Sequence, residues 1–259
     1  MSESSLVTFP PSLDCELSRF LLGQYRVPYV EDRHTLIFSF AVTWWKAQTL
    51  HFPLLAGAGR PPFDSVRKMI DGLDPLAPSD LQLLPPLSTK ERDAVEADWP
   101  RFNATLGGAV AVFSYFHLLP HRAIMLRPLG EGTPWFERLT VWLAYPVFSW
   151  LLTFLLKLSA ANAETALAQI RSVVASVDAR LADGRPYLVG DRFTLSDMAF
   201  ANALGPLVLP PRYGGPLPTY AEMPPILQQT IAEMRARPAG RFAMRIYAEH
   251  RRSSAVKPR

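Results

Sequence analysis

The residues best placed to do chemistry fall in three short clusters of the first 65 positions. In Ser12-Leu13-Asp14-Cys15-Glu16, a hydroxyl and a thiol stand three residues apart where Pro10-Pro11 stop a short strand and a helix begins. That spacing is about one helical turn. Ser12 is placed to cap the helix, and Asp14 and Glu16 suit its positive end. Cys15 is either a reactive thiol facing the same side or a small, inert, buried group. The second cluster, His51-Phe52-Pro53, enters a strand through a proline. In the third, Asp64-Ser65 precedes a helix as a cap would. His117 and His121 have a spacing that can bind zinc on a helix. Pro120 interrupts that helix, however, and no Cys, Asp or Glu stands beside the pair, so no metal site is expected. There is no G-x-S-x-G elbow, phosphate-binding loop or dinucleotide fingerprint.

The elements that must position these groups come in two styles. Leu6 to Phe9 reads as a strand, Ser12 to about Gly23 as a helix and Val27 to Glu31 as a second strand. His34 to Thr49 is aromatic-rich without a clean period. His51 to Ala56 reads as a strand, Gly57 to Pro62 as a turn, and Asp64 to Leu73 as a helix. This is a small α/β domain, assigned residues 1–76. Residues 77–88 are proline-rich and read as a linker. Residues 89–259 are all helical in pattern, with a kink near Pro100 and an amphipathic helix from Ala160 to Leu181. Thr194-Leu195-Ser196-Asp197 is a capping box, and the apolar run Met198 to Leu204 predicts a buried helix.

Totals agree with an ordinary globular chain of 259 residues, long enough for a sizeable core. The single cysteine, Cys15, excludes an internal disulfide framework and fits a reducing compartment. Met1-Ser2-Glu3-Ser4-Ser5 lacks the pattern of a secretory leader, so a cytoplasmic location is expected. Net charge is +4, much of it in a C-terminal cluster including Arg251, Arg252, Lys257 and Arg259. That cluster reads as a solvated helix face and frayed tail, and no nucleic-acid module is present. Leu139 to Leu156 is uncharged and carries Trp142, Phe148 and Trp150. With Pro146 in its middle, it is expected to form a buried or dimer-facing helix pair. Membrane contact is the less favoured reading.

Together, the α/β domain, the proline-rich linker and the helical domain containing Gly190-Asp191-Arg192-Phe193-Thr194-Leu195-Ser196-Asp197 resemble the soluble glutathione transferase family. Ser12-Leu13-Asp14-Cys15 lies where the family places its catalytic Ser, Cys or Tyr. Phe52-Pro53-Leu54 is similar to the family's cis-proline segment. Leu13 stands where a proline is usual, and Lys68 where an aliphatic residue is expected after Ser65.

The resemblance implies a thioredoxin-like N-terminal domain, a helical-bundle C-terminal domain and glutathione as cosubstrate, with no metal. It makes Ser12 the donor that stabilises the glutathione thiolate, with a helix cap as its other reading. Phe52 and Pro53 would pair with the extended peptide through the Phe52 backbone. Asp64 and Ser65 would hold the γ-glutamyl end, and His51 would lie near the cysteinyl-glycine end. The expected reaction adds the thiolate to a small hydrophobic electrophile, as in detoxification, in a homodimer. The apolar wall is expected around Val112 to Leu118. Two alternatives stand beside it: a thiol or peroxide reductase that also uses Cys15, and a non-catalytic binding or scaffold protein.

Overall fold

The computed structural model describes residues 4–57 and 59–256; Lys257 and Arg259 of the basic tail, and Met1 to Glu3, lie outside them. Four short strands form one mixed sheet: β1 (Ser5–Thr8), β2 (Val30–Arg33), β3 (Leu54–Gly57) and β4 (Arg60–Phe63), in the order β2-β1-β3-β4. β1 and β2 are parallel, with Ser5 opposite Val30; β3 runs antiparallel to both β1 and β4. Helices α1 (Leu13–Gln24), α2 (Leu36–Ala47) and α3 (Val66–Leu73) fall between and after these strands.

The ambiguous stretch from His34 to Thr49 is therefore a helix, ended by Gln48 in the left-handed region (φ 53°). The expected turn from Gly57 to Pro62 is mostly strand. Pro61 and Pro62 fit β4 because it is an edge strand, where a missing N–H need not break a ladder. The second strand begins three residues later than its apolar pattern suggests, at Val30.

The remainder is helical: α4 (Lys90–Trp99), a π-helical segment (Pro100–Leu106), α5 (Gly107–Leu118), α6 (Arg122–Gly130), α7 (Trp135–Leu143), α8 (Tyr145–Leu155), α9 (Ala160–Leu181), α10 (Leu195–Leu204), α11 (Pro225–Ala236) and α12 (Pro238–His250). A mixed sheet with helices, followed by a helical bundle, is the thioredoxin-like and all-α architecture expected. The kink at Pro100 is resolved as a π segment, which absorbs the lost N–H without ending the helix. No side chain of α10 is exposed, so it is the central helix of the bundle.

The capping box at its start forms, and its carboxylate does more than cap. Asp197 Oδ2 accepts from the Thr194 N–H (2.8 Å) and hydroxyl (2.9 Å), while Oδ1 accepts from the Leu188 N–H (2.7 Å). The turn before the helix is thus tied to the helix start, and Gly190 supplies its positive φ of 64°. Asn202, two turns along, donates to the Leu13 carbonyl at 3.1 Å and braces the first turn of α1.

One expectation fails: the basic C-terminus is not merely a solvated face. Arg251 is buried and donates to Glu16 (2.8 Å), and Ala255 pairs with Tyr29 beside the sheet. Buried carboxylates need such partners, and Glu16 is fully buried. Leu139 to Leu156 forms a helix pair as expected, bent by 83° between α7 and α8, with Trp142 (52 % exposed) and Trp150 (65 %) facing outward rather than into the core.

Candidate functional site

Two cavities meet at the first turn of α1. The larger, about 570 Å³, is predominantly apolar and is walled by α1, α2, α5, α8 and the loop around Pro216. The smaller, about 500 Å³, lies between the β3 entry, α3 and the π segment. Asp14, Phe52 and Asn103 line both and so mark the junction.

Ser12 sits at the N-cap position of α1 with extended backbone (φ −70°, ψ 132°), and its hydroxyl makes no capping bond. It lines the larger cavity. Cys15 lies one turn on, fully buried and lining neither cavity, close to Ser12 and to the backbone of Phe9. Burial pushes its thiol up to about 12, so the group is protonated at neutral pH. The two residues of the first cluster are therefore brought together but not brought to the same surface.

His51, Phe52, Pro53, Asp64 and Ser65 all line the smaller cavity. The Phe52–Pro53 bond is cis, as the resemblance implied. His51 is largely exposed, 3.6 Å from Asp64 through Nδ1. Asp64 accepts from Lys68 Nζ (2.6 Å) and Thr49 Oγ1 (3.2 Å), and the Lys68 bond first among these holds its carboxyl below the usual range. Ser65 caps α3, its Oγ accepting from the Lys68 N–H at 3.3 Å. The Lys68 ammonium thus holds Asp64, while its backbone N–H donates to the Ser65 cap.

Asp14 and Asn103 were not singled out by sequence reasoning as site residues. Asp14 had a reading only as a first-turn acid complementing the helix dipole. Its carboxyl is raised above the ordinary aspartate range by burial, against the lowering bond from Asn103. The signal that could have found it is its place two residues from Ser12, inside the loop between strand and helix. The predicted apolar wall is half right: Ser114, Tyr115 and Leu118 line the large cavity, whereas Phe113 is buried in the core. Ser114 Oγ has no hydrogen-bond partner among the described residues.

The arrangement joins a charged cleft carrying both signs to an apolar chamber, with a hydroxyl at a helix N-terminus in the chamber wall. Residues 159–229 match the family model of the glutathione S-transferase C-terminal domain. No curated protein sequence matches the chain. Among solved structures, a possible glutathione S-transferase from Rhodopseudomonas palustris is 13% identical, with a TM-score of 0.59 over 98% of this chain and 99% of that one. FzlA from C. crescentus is 18% identical, with a TM-score of 0.55 over 93% and 91%. A glutathione S-transferase from Methylobacillus flagellatus with glutathione bound is 16% identical, with a TM-score of 0.51 over 93% and 98%.

Proposed function

We propose that this chain is a glutathione transferase that joins glutathione to a hydrophobic electrophile, a reading supported by the match of residues 159–229 to the family's C-terminal domain and by the shared fold. The observation that carries this reading is the junction of the two cavities at Asp14, Phe52 and Asn103, one charged and one apolar. A tripeptide with two carboxylates and one ammonium suits the smaller cleft, where His51 and Lys68 meet Asp64 and Asp14. The apolar chamber suits the second substrate.

Ser12 is the group that stabilises the sulfur as an anion. A free thiol ionises near pH 8.5, and a donor at a helix N-terminus favours the thiolate. Cys15 lies buried beside Ser12 and takes no direct part. The thiol proton leaves to solvent, the thiolate forms a sulfur–carbon bond, and the leaving group departs with the electron pair of the bond it breaks. The reductase reading is the less supported, because it needs an accessible Cys15 and this thiol is fully buried.

The test is conjugation of glutathione to chlorodinitrobenzene. The reading expects saturation in glutathione, collapse of the rate in Ser12→Ala and a retained rate in Cys15→Ser. An unchanged rate in Ser12→Ala, or no binding of glutathione by calorimetry, overturns it.

A further inference from the structure

α2 meets α7 where Phe38 packs edge-on against Phe136 at 5.7 Å, and α7 runs on into α8. Five of the chain's six tryptophans stand exposed on these helices: Trp44, Trp45, Trp135, Trp142 and Trp150. A soluble surface rarely gathers bulky apolar side chains in this way without a partner. The exposed charges near it are mostly basic, with Glu131 just ahead of α7 an exception. Glu137 of α7 is turned inward, accepting from the Thr35 N–H (2.8 Å) and bonded to His34 (2.7 Å). Arg138 on the same helix and Lys157 beyond α8 are exposed, and the Arg122 guanidinium lies 5.2 Å from the Trp142 ring.

Neither limb can cross a bilayer. α7 has 9 residues and α8 has 11. At 1.5 Å per residue they reach about 14 and 17 Å, against a hydrocarbon core of about 30 Å. A bent pair of short helices, rich in tryptophan and fringed by cations, has the chemistry of an element that lies in the headgroup zone. α2 and α8 also wall the large cavity from the other side. Leu36 and Phe40 of α2 and Leu152 and Leu155 of α8 line it, and Leu155 is half exposed, so the cavity reaches the surface beside the tryptophans. A second copy seated on this face would stand across that opening, whereas a fluid bilayer can deliver molecules into it.

We propose that the α2–α7–α8 face seats the protein on an anionic bilayer surface, and that the apolar chamber receives its electrophile from the lipid. The second clause rests on the transferase reading; the first does not.

The experiment is cosedimentation of the full chain with vesicles of phosphatidylcholine alone and of equal parts phosphatidylcholine and phosphatidylglycerol, with tryptophan emission read in parallel. The expected result is binding to the mixed vesicles, a blue shift, and weakening by salt. Trp142→Glu with Trp150→Glu should lower partition on the order of 100-fold, as removing two bulky anchors predicts. Arg138→Glu with Lys157→Glu should lower binding to the anionic vesicles alone. Both pairs should leave vesicle-free conjugation of chlorodinitrobenzene unchanged, while the tryptophan pair should slow conjugation of an electrophile presented in vesicles. A protein that stays in the supernatant overturns the proposal. So does sedimentation equilibrium showing a dimer that the tryptophan pair splits, since the face would then belong to a second copy. If vesicles bind but chlorodinitrobenzene is not conjugated, the transferase reading and the delivery clause fall and the surface assignment stands.

Discussion

Replacing Asp197 by Ala tests whether the capping box is structural. The substitution leaves two buried backbone donors, Leu188 N–H and Thr194 N–H, without their acceptor; the Thr194 hydroxyl can rotate away. At about 1–3 kcal/mol for each orphaned buried group, the loss is about 2–6 kcal/mol, more than an exposed cap is worth. The pH dependence carries a sign. Burial first, opposed by the three donors and Arg180, pushes the Asp197 carboxyl up to about 6 from 3.8. The folded state therefore binds the proton more tightly than the unfolded one. Stability supplied by the protonated group is full below about pH 4 and declines until about pH 6, by about 3 kcal/mol at 1.36 kcal/mol per pKa unit. The gap between the native protein and Asp197→Ala should consequently narrow from pH 4 to pH 6 and then level. Urea unfolding at several pH values measures it, with glutathione affinity of the folded fraction in parallel. A gap below about 1 kcal/mol at pH 4 refutes the orphaned-donor accounting. A gap that widens with pH shows that the donors outweigh burial. Normal stability with lost glutathione binding would move the stretch into the binding site.

Ser12→Ala should lower kcat/KM for conjugation on the order of 100-fold, the usual cost of one donor to a developing anion, with little change in melting temperature. The Cys15 thiol should resist an aromatic disulfide reagent in the native protein and react only on unfolding, because it is fully buried and protonated. Arg251→Ala should cost about 3 kcal/mol in urea unfolding, the low end for breaking a buried pair, since Arg19 still stands 3.5 Å from Glu16. His34, bonded to both Asp32 and Glu137, is opposed by burial, but these two bonds raise its pKa overall. Its stabilisation of α7 is full below about pH 6.5 and lost as pH rises through the higher folded value. Amide exchange in α7, corrected for intrinsic rates, should quicken over that range, and His34→Ala should abolish the effect.

Local signals were legible wherever a residue's role is set by its immediate neighbours. The capping box, the helix from Ala160 to Leu181 and the cap at Ser65 needed only spacing and side-chain type. What escaped depended on distant partners. β4 was hidden because its prolines argue against a strand until an edge position is known. The burial of Arg251 depends on Glu16, 235 residues earlier. The exposure of Trp142 and Trp150 could not be read from an apolar run, which looks the same facing a core, a partner or a membrane. Within the candidate site, Ser12, His51, Phe52, Pro53, Asp64 and Ser65 line the cavities at the start of α1, whereas Asp14 was read only as a helix-dipole acid. Asn103 was not legible, because only the π segment after Pro100 aims it at Asp14.

The most recognisable stretch of the chain and the proposed chemistry are connected by a single buried helix. Asp197 organises the start of α10, and Asn202 on the same helix donates to the carbonyl of Leu13, directly after Ser12. The backbone of that first turn must be held if a serine hydroxyl is to meet a substrate sulfur, since a displacement of about 1 Å can cost about 100-fold in rate. Asn202→Leu separates the two contributions. It removes the bond to Leu13 while leaving the box at Asp197 intact, so conjugation should fall with kcat affected more than the KM for glutathione. Stability should change far less than in Asp197→Ala. A variant whose activity is unchanged would show that α1 keeps its own first turn in place, and that α10 serves only the core.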